Sequence, residues 1–479
     1  MTTIKKSTLT GMTLFFLLSL WACANNAEKS NVKQTCDITI TVEGAAPGWA
    51  KLIGSYTDKT FFVDSFKIEN GKLRIKQDSS LHQGLYYVLF PDNQNIQILL
   101  SDDQQFDLKT TMSDLIQPMQ VTGSIDNDLL YQSFKLQQHQ DNQQRTMQVQ
   151  VNGKPENDPA VISFKKMVED FRAARRVQLA EMTKAHPNSF FVKFKNAGQN
   201  PEVKDIRLAT GEKDLNTQAY FFRKEYWDKV DFSEERLMYS PVLSNKMQQF
   251  FGDVMPQHQD SIVQYADALL SKSLANPEIF KYMSNWLLLK YEPGKTTLMD
   301  GEAVFSNIVE KFFTAENAIW LKPGELADIR RRAGEMKASL LNKQAADVTA
   351  NDINGQPKSI YSIKSPYIIV YLYHTDCEHC QAETPKLVQM YPQLKSRGIE
   401  FYTIAVNTTD AEWRKFVKTY HMEQWTNVFD ATNVSVYSKY FVDNTPEIYV
   451  LNKERKIIGK NLKPEQINQI LDMDQKVAN

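Results

Sequence analysis

The sequence predicts a multidomain chain with a small β-sandwich, then an all-α region, then a C-terminal α/β domain whose mixed sheet carries helices on both faces. Three observations predict it. From Cys36 to about Gly123, apolar residues alternate with period two or run in short blocks, and turn residues separate them. After Gly123 the periodicity becomes helical and stays so to about Gln344. From about Asp347 strand-like and helix-like segments alternate, the order that builds a mixed sheet with helices on both faces.

The N-terminus sets the compartment. Lys5 and Lys6 precede the apolar stretch Thr13–Leu20, which is too short to span a bilayer but suits a signal-peptide core. It ends in Leu20-Trp21-Ala22-Cys23, which resembles a bacterial lipobox, in which the Cys is lipidated and becomes the new N-terminus. Trp21 is bulky for its place there, and a secretory signal cut nearby is the alternative. Residues 1–22 therefore read as a lipoprotein signal peptide, Cys23 as the lipidation site, and the polar residues 23–34 as a flexible tether. The mature chain is expected in the cell envelope of a Gram-negative-type bacterium, held to a membrane by its N-terminal lipid and facing the periplasm.

Charge excludes one class of partner. Lys plus Arg is 56 and Asp plus Glu is 57, so there is no field to attract nucleic acid. Four Cys do not describe a disulfide-stapled scaffold. Cys36 opens the alternating run Cys36–Val42 and reads as a small, partly buried strand residue.

In residues 35–123, strands are expected at Ile38–Val42, Ala50–Tyr56, Leu73–Ile75, Tyr86–Phe90 and Ile96–Leu100, with turns at Glu69-Asn70-Gly71, Pro91-Asp92-Asn93 and Ser101-Asp102-Asp103. In residues 124–344, helices are expected over Asp126–Gln148 and Pro159–Ala185, parted by Asn152-Gly153-Lys154-Pro155 into a hairpin. The helices that follow carry many aromatics, including Tyr220, Phe221, Tyr226, Trp227 and Trp286, which read as core. In residues 345–479 the strands are Tyr367–Tyr373, Ile399–Val406, Glu447–Leu451 and Lys456–Gly459. Helices follow Cys377 and cover Asp410–His421, Val434–Phe441 and Pro464–Met473.

Cys377-Glu378-His379-Cys380 closes the apolar run that begins at Tyr367, and Gln381–Lys395 behind it reads as a helix. A Cys-x-x-Cys between a buried strand and a helix start sets two sulfurs across one turn, close enough for a reversible disulfide. The first sulfur lies over free N–H groups and the positive end of the macrodipole, which favour a thiolate. Such a pair exchanges electrons with the thiols and disulfides of other proteins.

On these residues the C-terminal third resembles the thioredoxin-fold thiol–disulfide oxidoreductases, and within them the TlpA/ResA group. Four further features carry the resemblance. Asp352-Ile353-Asn354-Gly355-Gln356 looks like the group's N-terminal hairpin, Glu383 stands three residues after the second Cys, Pro385 falls where the active-site helix often kinks, and Thr445-Pro446 precedes the strand Glu447–Leu451. The resemblance implies Cys377 as attacking thiolate, Cys380 as the buried resolving Cys, a redox disulfide Cys377–Cys380, and Glu383 as proton acceptor for Cys380. It also implies a cis Thr445–Pro446 bond whose backbone pairs with an extended substrate segment. His379, when protonated, would stabilise the Cys377 thiolate, and Glu378 works the other way. No cofactor and no metal are expected. The partners would be protein thiols or disulfides and an unidentified redox partner. Asp376 stands where many thioredoxins carry Trp, which makes the groove more acidic and favours a narrow partner set.

Two other readings compete. Cys377, Cys380, His374 and His379 would supply ligands for a Zn or Cu metallochaperone, although His379 lies awkwardly between the two Cys. The upstream regions would also suit a lipoprotein binding module whose disulfide is structural. A peroxidase sharing the fold normally carries its Cys in a Pro/Thr-containing motif, which is not found around Cys377. The working expectation for the upstream regions is that they select substrates or shield the dithiol from other thiols, so that removing Cys36–Gln344 changes partner choice but leaves the dithiol's potential nearly intact.

Overall fold

The computed structural model describes residues 35–432, 436, 439–442 and 444–477. The expected signal peptide, tether and Cys23 lie outside the described residues, as do four of the eight residues of the helix expected over Val434–Phe441.

The N-terminal region is two four-stranded sheets. β1 (Cys36–Glu43), β4 (Lys72–Gln77), β7 (Gln105–Thr111) and β8 (Gln120–Thr122) form one, in the order β4-β1-β7-β8. β2 (Gly48–Tyr56), β3 (Lys59–Ile68), β5 (Gly84–Leu89) and β6 (Asn95–Leu100) form the other, in the order β3-β2-β5-β6. β1 shows why it is a strand. Its alternation buries Cys36, Ile38, Ile40 and Val42 on one face. Cys36 is wholly buried, as a strand residue in the core. The turn signal Asn70-Gly71 is realised with positive φ at both residues (50° and 72°), as a two-residue hairpin turn of type I′ requires.

Helices take over at Ser124, whose hydroxyl caps α1 (Ile125–Val151) by accepting from the Asn127 N–H. α1 and α2 (Pro159–Ala185) form the expected hairpin, broken at Gly153 with φ 79°. Then come α3 (Phe190–Ala197), α4 (Leu215–Glu225), α5 (Val242–Gln249), α6 (Gln259–Ser273), α7 (Pro277–Lys290), α8 (Gly301–Phe312) and α9 (Pro323–Met336). α1 docks on the edge strand β6. Asn127 accepts the Leu99 N–H at 2.9 Å and donates to the Leu99 carbonyl at 2.8 Å, and Tyr131 donates to the Gln97 carbonyl at 2.9 Å. The edge is thereby closed to other strands. One continuous apolar core runs from Cys36 to Met336, so the sheets and helices are packed as one body.

The C-terminal region is a seven-stranded sheet with its helices. The strands are β9 (Thr349–Asp352), β10 (Pro357–Ser359), β11 (Tyr367–Tyr373), β12 (Ile399–Ala405), β13 (Thr426–Phe429), β14 (Glu447–Leu451) and β15 (Ile457–Gly459), in the order β10-β9-β13-β12-β11-β14-β15. β11, β12 and β13 are parallel, and the remaining pairs are antiparallel. α10 (Glu378–Ser396), α11 (Asp410–Thr419) and α12 (Ile467–Val477) complete it. β11 reads as an unbroken apolar run because both of its faces are covered. Ile369, Tyr371 and Tyr373 pack with Leu387 of α10, Trp413 of α11 and Leu471 of α12. Ile368, Val370 and Leu372 pack on the other side with Tyr402, Tyr440 and Tyr449. The hairpin β9–β10 turns at Gly355, with φ 76° and the Asp352 N–H bonded to the Gln356 carbonyl at 2.8 Å. The multidomain architecture expected from the sequence is therefore present. β13 was not among the expected strands, because its four residues are too few to show a period.

Candidate active site

α10 begins at Glu378, three residues earlier than the sequence suggests, and Cys377 is its N-cap. The cap role usually falls to a hydroxyl or carboxylate oxygen; here the Cys377 Sγ accepts the Cys380 N–H at 3.2 Å. The same thiol donates to the Thr445 carbonyl at 3.3 Å. The Thr445–Pro446 bond is cis. The structure thus joins Cys377, Cys380 and Thr445, residues expected together from the sequence yet 68 positions apart at their extremes.

The two thiols differ in environment. Both are free. Cys377 is partly exposed, whereas Cys380 is 0% exposed, in the apolar cluster that α10 forms with Tyr371 and Tyr373 of β11. Burial pushes the Cys380 thiol up to about 12, and its contact with Cys377 adds to the rise. The helix is anchored beneath them. The Tyr371 and Thr384 hydroxyls lie 2.8 Å apart, and the Thr384 hydroxyl donates to the Cys380 carbonyl at 2.7 Å. Pro385 follows, inside the helix. Before Cys377, the Thr375 hydroxyl lies 2.7 Å from that of Thr408, and the Gln381 amide donates to the Thr375 carbonyl at 3.0 Å. Asp376 is exposed.

Glu383 is half-buried on α10, three residues beyond Cys380 and so on a shared helix face. Burial raises its carboxyl above the ordinary value, against the opposing pull of Lys386, Lys463 and His379. His379 itself is exposed. Among the described residues no hydrogen bond joins it to Cys377, and no group of three or more His, Cys, Asp or Glu is arranged to hold a metal ion. A carboxyl raised in this way is a stronger base than an ordinary one, and so a better proton acceptor. Glu383→Gln should therefore slow resolution of a mixed disulfide by about 10²-fold, the lower end of what a positioned acid–base group contributes. The wild-type rate should rise with pH as Glu383 deprotonates, and the Gln variant should lack that limb. Stopped-flow thiol release at several pH values would show it.

The fold and the dithiol define a thioredoxin-like thiol–disulfide oxidoreductase domain. Residues 341–460 match the AhpC/TSA family. Residues 36–130 and 199–338 match two domains of unknown function, DUF4369 and DUF5106. The thiol–disulfide oxidoreductase ResA of Bacillus cereus is 22% identical over 138 residues, which is 29% of this chain and 79% of that protein. ResA of Bacillus subtilis is 26% identical over 114 residues, 24% of this chain and 63% of that protein. Among solved structures, a thioredoxin-like protein from Bacteroides caccae aligns over 57% of this chain and 98% of its own, with TM-score 0.49 and 18% identity. A domain of a possible thiol-disulfide isomerase from Cytophaga hutchinsonii aligns over 29% of this chain and 95% of its own, with TM-score 0.28 and 31% identity. The C-terminal domain is thus similar to the ResA-like thiol–disulfide oxidoreductases.

Proposed function

We propose that this chain is a membrane-anchored, extracytoplasmic oxidoreductase that exchanges disulfides with partner proteins through Cys377 and Cys380. The observation that carries the reading is the Cys377 sulfur, partly exposed and held between the Cys380 N–H and the Thr445 carbonyl. The Cys377 thiolate attacks a substrate disulfide, forming a mixed disulfide and releasing one substrate sulfur, which takes up a proton. Cys380 then gives its proton to Glu383 and attacks the Cys377 sulfur. The second substrate thiolate leaves, the substrate has gained two electrons, and the Cys377–Cys380 disulfide holds the oxidised state. Run backwards, the same steps oxidise a dithiol. The Thr445 backbone would align an extended substrate segment by strand addition. Cys23 would carry the lipid that tethers the chain to the periplasmic side of the envelope.

Redox titration of the chain from Ala24 in glutathione buffers tests this. A reversible two-electron couple between about −300 and −120 mV, absent from Cys377→Ser and Cys380→Ser, is expected. No couple above about −300 mV would make the disulfide structural and leave the binding-module reading in its place.

A further inference from the structure

Charged side chains are buried together where the helical region meets the C-terminal sheet, and the exchange chemistry uses none of them. Lys460, just after β15, is 0% exposed, and its Nζ lies 3.2 Å from Glu302 Oε2 and 3.6 Å from Asp300 Oδ1. Asp300 is itself fixed. It caps α8 through the Ala303 N–H at 3.1 Å and accepts the Leu341 N–H at 2.8 Å. Glu302 also accepts from the Asn461 amide at 3.1 and 3.3 Å, and that amide reaches the Met299 carbonyl at 3.3 Å. The acids thus come from the helical region and their partners from the C-terminal domain.

A buried ion pair is weak evidence for stability, because desolvation offsets most of the attraction. What it does supply is register, since a buried charge tolerates only a partner in place. Its location says which register is fixed. The Tyr449 ring, 5.9 Å from Lys460 Nζ, carries the hydroxyl that donates to Glu447 at 2.6 Å. Glu447 directly follows Pro446, and Thr445 before it holds the Cys377 thiol. A second contact reaches the same loop independently. A Cβ added to Gly294, which has φ 78°, would stand 2.5 Å from Asn444 Nδ2, so the loop after α7 is pressed against Asn444. Met299 packs against the apolar cluster that also receives Cys377.

We infer that Asp300 and Glu302 are positioning residues: by holding Lys460 and Asn461 they set the Thr445–Pro446 loop beside Cys377, so that the helical region forms a wall of the substrate groove. This rests on the proposed exchange at Cys377. It predicts an effect confined to substrates that use the loop's backbone. A peptide disulfide must align along Thr445, whereas a small aromatic disulfide needs only the sulfur.

The test compares the mature full chain with Glu302→Gln and Asn461→Gly. Glycine keeps the left-handed conformation of position 461 (φ 54°) and removes only the amide, so that exposed site should fold even if the buried variant does not. Each is reacted with a disulfide-linked dimer of a five-residue Cys peptide and with 5,5′-dithiobis(2-nitrobenzoate). The peptide rate should fall about tenfold or more in both variants, as misplacement of an aligning group does, while the aromatic rate stays within twofold. Peptide and aromatic rates that fall together, or neither falling, would overturn the inference. So would a wild type without preference for the peptide. A wild type whose Cys377 reacts with neither disulfide would instead overturn the proposed exchange itself.

Discussion

Cys380→Ser should accumulate a mixed disulfide through Cys377 when mixed with a disulfide substrate, and Cys377→Ser should form none. The asymmetry follows from burial. Cys380 is 0% exposed with its thiol pushed up to about 12, so it cannot meet an external disulfide and is no thiolate at neutral pH. Cys377 is partly exposed at the helix start, with the Thr445 carbonyl beside it. Removing either sulfur should lower turnover by at least about 10³-fold, because the two act as one unit. Only the Cys380→Ser chain should carry a substrate adduct on non-reducing gels and in mass spectra. An adduct on the Cys377→Ser chain would assign the attack to the wrong sulfur.

What was legible in the sequence was local. Cys377 and Cys380 declare themselves because a strand, a Cys-x-x-Cys and a helix start are contiguous. Thr445-Pro446 and the Asp352–Gln356 hairpin are short motifs of the same kind. Glu383 is legible by spacing, but the shift of its carboxyl depends on burial and on the charges of Lys386, Glu465 and Lys463, two of which come from a distant stretch of the chain. The features that were not legible are products of packing. Nothing in the strand pattern announces that β1–β8 and α1–α9 share one core, since that depends on contacts such as Asn127 with Leu99, 28 residues apart. Lys460 and Glu447 do carry a signal in the sequence: Glu447 opens the apolar strand β14 and Lys460 directly follows β15, and a buried charge there demands a partner. The partners, Asp300 and Glu302, lie about 160 residues away from Lys460 and Asn461, beyond the reach of any periodicity. Removing Cys36–Gln344 would also remove these contacts, so measuring the dithiol's potential in that shortened chain tests the expectation that it stays nearly intact.

Glu447 gives a large pH effect on stability between pH 4.5 and about 8. Its carboxyl is fully buried, and burial pushes it from 4.5 up to about 8; Glu302 adds to the rise, while the Tyr449 hydroxyl, Lys460 and the Asn444 backbone favour the anion. The raised value means that the folded chain holds a proton the unfolded chain releases. The resulting stability is fully present below about pH 4.5 and is lost as pH rises through about 8. One proton corresponds to about 1.4 kcal/mol per pH unit, so the loss across this window is on the order of 5 kcal/mol. That is a large share of the roughly 5–15 kcal/mol that holds a domain folded. Glu447→Gln keeps the shape and an acceptor for Tyr449 but has no proton to lose. Below pH 4.5 the two chains should be nearly equal in urea unfolding. By pH 8 the variant should be the more stable by several kcal/mol, with Asp300, also raised by burial, contributing the same slope to both. Parallel stability curves for the two chains between about pH 5 and 8 would show that Glu447 is ionised in the folded state, and the attraction of Lys460 would then outweigh the cost of burial.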